Sequence, residues 1–217
     1  MMEVPSPALS IALPVRRPAC ATCLRSQSTC ICKWITQIPH TVEVLILQHP
    51  LEVANAKGSA RLLHLSLPGS TLKVGEVFDF NLLAAIPKQN LLLYPETPFA
   101  ETRFTEAPVM QAGLLADPAQ LRLIVLDATW RKSRKMLYLN PQLQQLPRMA
   151  LKNVGASNYS IRKAHGADQL STLEATCAAL IELERDAGKY QPLLKAFDGF
   201  VAQQAGLAAS GRLGRPD

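Results

Sequence analysis

Leu121-Arg122-Leu123-Ile124-Val125-Leu126-Asp127-Ala128-Thr129-Trp130-Arg131-Lys132-Ser133-Arg134-Lys135-Met136 is the stretch whose reading decides the fold. Its first part, LRLIVL, is apolar on both faces apart from Arg122, the pattern of a strand covered on either side in a parallel sheet. The strand runs straight into an acid, a threonine and a tryptophan, and then into a basic helix. The same motif of a doubly buried strand recurs twice. Thr41 to Gln48 (TVEVLILQ) ends at His49-Pro50, and Asn90 to Tyr94 (NLLLY) ends at Pro95. Helices are expected between them. One is predicted over about Glu52 to Leu65, with Leu62, Leu63 and Leu65 apolar and Pro68-Gly69 closing it. A second starts at the capping box Ser171-x-x-Glu174, carries Leu173, Cys177, Leu180 and Ile181 at helical spacing, and should stop near Gly188. A third begins at about Pro192 with Leu193, Leu194, Phe197, Phe200 and Val201. Strands alternating with helices predict an α/β fold with a mainly parallel sheet flanked by helices.

Of 217 residues, 48% are hydrophobic and 18% charged, enough for a core that needs no covalent staples. No apolar run approaches the roughly 18 residues of a membrane-spanning helix, and Pro5, Pro7 and Pro14 interrupt the only apolar stretch of the N-terminus, so neither a span nor an export signal is expected and a cytoplasmic home follows. The net charge of +6 is unevenly placed. Between Gln120 and Leu170, nine basic residues (Arg122, Arg131, Lys132, Arg134, Lys135, Arg148, Lys152, Arg162, Lys163) face two acids, Asp127 and Asp168, while the remainder is close to neutral. Residues 1–18 form a Pro-rich, flexible lead-in, 19–36 a cysteine-bearing knuckle, 37–205 the main domain and 206–217 a flexible tail. The sequence leaves monomer and homodimer both open.

Four of five cysteines, Cys20-x2-Cys23-x6-Cys30-x-Cys32, fall within thirteen residues. In a reducing compartment this is a ligand set: four soft thiolates suit a closed tetrahedral zinc site, with an iron-sulfur cluster or simple burial as the alternatives. Cys177, on the apolar face of its helix, reads as a core residue. The arginines and lysine around the knuckle (Arg16, Arg17, Arg25, Lys33) fit either phosphate contact or a purely structural clamp.

In open α/β sheets ligands gather beyond the carboxyl ends of the strands, where Asp127 stands. A carboxylate leaving a buried strand needs a partner or a task; capping the next helix together with Thr129 is the plainer alternative. Trp130 either anchors packing or walls a pocket for a planar ring. Behind it, Arg131, Lys132, Arg134 and Lys135 crowd like charges onto one helix with no acid beside them in sequence, a conflict that a phosphate backbone would resolve, and Arg162 and Lys163 extend the same expected RNA surface. His49 could line the strand-end pocket, although a turn-stabilising histidine is the more frequent case; His40 and His64 look incidental. There is no P-loop, no Gly-x-Gly-x-x-Gly after a strand and no His-Glu-x-x-His.

In order, Cys-x2-Cys, Cys-x-Cys, HPLE at His49 to Glu52, LLLYPE at Leu91 to Glu96, LDATWRKSRKM at Leu126 to Met136 and YSIRKAHGADQLSTLEA at Tyr159 to Ala175 resemble the DTW-domain proteins, the bacterial tRNA-uridine aminocarboxypropyltransferases and their relatives. The resemblance spans about Cys20 to Phe200. It implies a SPOUT-related fold with a C-terminal trefoil knot around S-adenosylmethionine. It also implies transfer of the donor's 3-amino-3-carboxypropyl group to N3 of a tRNA uridine, at variable-loop position 47, with release of methylthioadenosine. Carried over residue by residue, it makes Asp127 the candidate general base, with orienting the uracil or complementing the sulfonium as its alternatives, and places Leu93, Tyr94, Pro95, Leu126, Thr129, Trp130, Ser171, Thr172 and Glu174 against the donor, with Trp130 alternatively beside the target base. A methyltransferase on the same fold and a non-catalytic zinc-bearing RNA-binding module are the rival readings.

Overall fold

A computed structural model describes residues 18–79, 88–95, 108, 117–151 and 170–210. Five strands, β1 (Glu43–Gln48), β2 (Thr71–Val74), β3 (Gln89–Leu93), β4 (Leu121–Asp127) and β5 (Arg148–Met149), form one sheet in the order β2-β1-β4-β3-β5, with every neighbouring pair parallel. Among the described residues, five helices accompany it: α1 (Ala60–Ser66), α2 (Trp130–Leu139), α3 (Pro141–Gln144), α4 (Thr172–Glu184) and α5 (Gln191–Ala209).

Alternation along the strands assigns the two faces. Val44 and Ile46 of β1, Leu91 of β3 and Leu121, Leu123 and Val125 of β4 pack with Leu62, Leu63, Leu173, Cys177, Leu180, Phe197 and Phe200 from α1, α4 and α5. Leu45, Leu47, Leu92, Tyr94 and Ile124 meet Met136, Leu137 and Leu143 from α2 and α3 on the other face. Helices therefore cover the sheet on both sides, which is why its strands are apolar throughout. Each fully buried aliphatic side chain contributes about 1.5–3 kcal/mol, and β4, with five of its seven residues buried without a break from Leu121, is the spine of the molecule. From β1 the chain moves outward to β2, whereas from β4 it crosses to β5 on the far side of β3. The gap between β1 and β4 is thus a topological switch point, the place where an open α/β sheet leaves a crevice at its carboxyl edge.

Several expectations change. The helix predicted over Glu52 to Leu65 exists only in its second half. Residues Pro50–Glu52 form a single 3-10 turn, and the chain then turns on Asn55, whose side-chain oxygen accepts from Lys57 N at 3.0 Å and whose carbonyl accepts from Gly58 N at 2.8 Å. A Cβ at Gly58 would lie 3.1 Å from that carbonyl oxygen, so the turn favours glycine there. Local side-chain bonds of this kind compete directly with helix formation. The capping box is present in full, with Ser171 Oγ accepting from Glu174 N and Glu174 Oε2 accepting from Ser171 N. The helix stops at Glu184 rather than near Gly188, because Arg185 takes the left-handed conformation (φ 54°) that ends helices. Cys177 is fully buried, and burial pushes its thiol up to about 12. The lead-in up to residue 17, the tail from residue 211, Glu96, and the basic stretch containing Lys152, Arg162 and Lys163 lie outside the described residues.

Candidate functional site

The carboxyl edge at the switch point is built around Asp127, which is 3% exposed. Parallel register sets Gln48, the last residue of β1, directly beside it. Gln48 Nε2 donates to Asp127 Oδ2 at 2.8 Å, and Thr172 Oγ1, at the first turn of α4, donates to Asp127 Oδ1 at 2.7 Å. The backbone joins too, since His49 N donates to the Asp127 carbonyl at 3.0 Å. Both carboxylate oxygens are thereby oriented by neutral donors from two other elements. Thr129 is the N-cap of α2 but makes no side-chain cap bond. The capping partnership weighed for Asp127 and Thr129 therefore does not explain the threonine, and Asp127 ties two strand ends to a helix start.

Beside this acid stands an aromatic pair. Tyr94, immediately after β3, is buried, and its ring stacks on Trp130 with centroids 5.2 Å apart and planes 9° from parallel. The Tyr94 hydroxyl meets Ser133 Oγ at 3.4 Å, and Ser133 in turn donates to the Trp130 carbonyl at 2.9 Å. Arg148 of β5 places its guanidinium 5.7 Å from the Tyr94 ring centroid. Trp130 itself remains 52% exposed, so one ring face is occupied and the other is open. Leu126 is half-buried on the Tyr94 side of the sheet, Leu93 is half-buried on the opposite side, and Pro95 and Thr129 are exposed. Ser171 and Glu174 close the capping box at the start of α4, where Thr172 reaches Asp127. The α1 side contributes as well, because Ser59 Oγ accepts from Leu173 N at 3.2 Å.

The basic helix is not bare of acids. Lys132 Nζ pairs with the buried Glu52 at 2.8 Å, and Lys135 Nζ pairs with Glu76 at 2.7 Å. The hydrogen bond from Lys135 leads the causes that hold the Glu76 carboxyl below its ordinary value. The sequence shows no acid beside these lysines because both acids arrive from the segments following β1 and β2. Glu76 also binds His49 Nε2 at 2.7 Å, while His49 Nδ1 accepts from Leu51 N at 3.1 Å. That pattern gives the neutral ring with its proton on Nε2, a buried structural link rather than an open pocket wall. Two members of the basic window stand elsewhere. Arg122 is 2% exposed at the amino end of β4, paired with Glu43 at 2.6 Å, and Arg148 is buried against Tyr94. Among the described residues, the exposed basic side chains of this window are Arg131, Arg134 and Lys135 of α2.

The cysteine cluster packs against the core shared with α1, α4 and α5. The sulfurs of Cys20, Cys23, Cys30 and Cys32 all lie within 4.8 Å of one another, with Cys20 to Cys32 at 3.5 Å and Cys23 to Cys30 at 3.8 Å. A tetrahedron with metal–sulfur bonds of about 2.3 Å has edges of about 3.8 Å, so the donor set fits a metal. Four thiolates this close repel one another strongly unless a cation lies between them. Arg25 donates to the carbonyls of Ala56 and Gly58 at 2.5 and 2.8 Å, and Arg61 donates to the carbonyl of Thr22 at 2.8 Å. Trp34 Nε1 donates to Gln203 Oε1, and Gln203 Nε2 donates to the Cys30 carbonyl. Arg25 and Trp34 therefore clamp the knuckle to the β1–α1 loop and to α5, in line with the structural reading.

Sequence reasoning missed Gln48, Glu76 and Ser133. Gln48 had one signal, a polar residue closing an apolar strand, but its meaning depends on β4 being the neighbour. Among the described residues, no helix is long and apolar enough to cross a membrane. The DTW domain model matches residues 17–205. The chain is 29% identical over 210 residues to tRNA-uridine aminocarboxypropyltransferase 2 of Mus musculus, covering 92% of this chain and 68% of that protein. It is 32% identical over 182 residues to the protein of the same name in Drosophila melanogaster, covering 78% and 68%. With tRNA-uridine aminocarboxypropyltransferase A of Arabidopsis thaliana it shares 28% over 134 residues, covering 56% and 51%. No solved structure matches it. The curated relatives are transferases by name, and a family model covering most of the residues, Asp127 and all four clustered cysteines included, settles the assignment: the chain belongs to the DTW-domain family.

Proposed function

We propose that this protein transfers the 3-amino-3-carboxypropyl group of S-adenosylmethionine to N3 of a tRNA uridine in the cytoplasm, with position 47 of the variable loop as the acceptor. The observation that carries the reading is Asp127, an acid buried at the switch point and oriented by Gln48 and Thr172, within the span that matches the family. The donor is a substrate whose sulfonium makes three adjacent carbons electrophilic. Which carbon reacts depends on the one held in line with the nucleophile, so orientation selects the product.

Asp127 accepts the proton of uridine N3 as the N3–carbon bond forms. The carbon–sulfur bond breaks with its electron pair staying on sulfur, which leaves as neutral methylthioadenosine. General-base assistance of this kind contributes about 10²–10⁴ in rate. Gln48 and Thr172 hold the carboxylate in one orientation, and Leu93, Tyr94, Pro95, Leu126 and Thr129 line the donor's side of the crevice. Ser171 and Glu174 fix the helix start that carries Thr172. The open face of Trp130 receives the uracil, since an uncovered planar ring beside a proton acceptor suits a base taken out of its stack. The four-cysteine cluster holds zinc as a structural ion. A C-terminal trefoil knot belongs to the same family reading.

Mass spectrometry of nucleosides from tRNA incubated with protein and S-adenosylmethionine tests the proposal. A uridine heavier by an aminocarboxypropyl group is expected, together with methylthioadenosine. A methylated nucleoside would establish the methyltransferase reading instead, and unmodified tRNA would overturn both.

A further inference from the structure

We propose that the exposed side of α2 is a track for single-stranded RNA flanking the modified uridine, on which Tyr138 stacks a neighbouring base; this rests on the tRNA reading above. The five exposed side chains of α2 are Trp130, Arg131, Arg134, Lys135 and Tyr138, two aromatics and three cations, and the helix contains no acid. At 3.6 residues per turn these positions fall within about 140° of the helix surface, while Ser133, Met136 and Leu137 take the buried side.

Tyr138 is 60% exposed and has no hydrogen-bond partner among the described residues. It follows Trp130 by eight residues, about 12 Å along the axis. Trp130 is held rigid by its stack on Tyr94 and offers only its outer face. Arg131 follows Trp130 at the start of this exposed side and Lys135 is engaged by Glu76, so the Arg131 guanidinium is the group placed to meet a phosphate. Two spaced rings with a cation beside them fit a strand whose bases are splayed out, because every base has a stacking face and the backbone supplies the negative charge. A duplex would use the cations and leave the rings idle, since its bases are stacked inside.

The test measures the affinity of the full chain for tRNA, for a single-stranded oligoribonucleotide and for the matching duplex over a salt series. Tyr138→Ala should weaken binding to tRNA and single strand roughly tenfold at fixed salt, leave the salt slope unchanged and leave the duplex unaffected. Tyr138→Phe should keep the native affinity. Arg131→Gln should instead flatten the slope by roughly one unit or less. Native-like affinity of Tyr138→Ala for the single strand, or an equal loss on duplex, overturns the proposal. So does an acidic peptide that competes with the oligonucleotide and depends equally on Tyr138, since that would assign the face to a protein partner. Nucleoside analysis on the same preparations separates the two readings. Transfer by Tyr138→Ala at native kcat/KM sinks the track alone, while Tyr138-dependent binding without any transfer sinks the proposed reaction alone.

Discussion

Asp127 occupies a position that ordinary burial would penalise, since a carboxylate removed from water loses hydration that only hydrogen bonds can replace. Gln48 and Thr172 supply that replacement from opposite sides, and the pair makes the acid's orientation a property of three elements at once. Asp127→Asn keeps the shape, and the surroundings can adapt: the Gln48 amide can turn end for end and the Thr172 hydroxyl can rotate, so each new donor or acceptor still finds a mate. Folding should therefore survive while the proton acceptor is lost. The expected outcome is a thermal midpoint within a few degrees of native and a fall in transfer of about 10²–10⁴, read by initial rates with saturating donor. Thr172→Val separates positioning from proton transfer. It keeps the acid but removes one donor, so kcat should fall by less than in Asp127→Asn, and the hydroxyl-bearing Thr172→Ser should recover most of it. Equal losses in Thr172→Val and Thr172→Ser would show that the hydroxyl does not orient the acid.

Helix α4 is fixed at both ends by carboxylates that act on backbone amides. At its start the capping box is worth about 1 kcal/mol, so Ser171→Ala should lower stability by roughly that amount and loosen Thr172 with it. At its end the half-buried Glu184 accepts from Thr41 N at 2.6 Å, Val42 N at 3.0 Å, Lys189 Nζ at 2.5 Å and Tyr190 Oη at 2.8 Å, pinning the helix to the entry of β1. Burial alone would raise its carboxyl, but these donors outweigh it and hold the group below its ordinary value. A depressed folded value means stability present above the unfolded value and lost as pH falls through the folded one. The gap in thermal midpoint between native protein and Glu184→Gln should thus be full near neutrality and close in acid, below the usual carboxylate range; a gap independent of pH would refute the assignment. The start of α4 was legible because a capping box is a local signal. The strands β1, β3 and β4 were legible because doubly buried strands are apolar throughout. By contrast β2, half-exposed Thr71–Val74, and β5, only two residues, carry no period to read. The partners of Lys132 and Lys135 were illegible for another reason. Glu52 and Glu76 come from 80 and 59 residues away in sequence, and only the sheet order brings them near.

Across the whole molecule the switch point and the knuckle are joined by a short chain of contacts. Arg25 grips the carbonyls of Ala56 and Gly58, Ser59 next in line receives Leu173 N, and Thr172 one residue before it holds Asp127. The knuckle also closes one side of the core, with Cys23 and Ile31 almost fully buried, and Trp34 fills the space above Gly199, where a Cβ would overlap its ring. Removal of the zinc proposed for the four cysteines should therefore act in two ways. Loss of Ile31 burial alone is worth about 1.5–3 kcal/mol, and at roughly 2–4 °C per kcal/mol for a domain of this size the thermal midpoint should fall by several degrees. Transfer should fall as well, because the loop that seats α4 loses its clamp. Arg25→Met isolates the second effect: it leaves the four thiolates and the metal content unchanged but removes both carbonyl contacts. Lower kcat at native metal content and native salt dependence of tRNA binding is the expected result. A native kcat in Arg25→Met, alongside loss of activity on chelation, would show that the metal serves the site by some route other than this clamp.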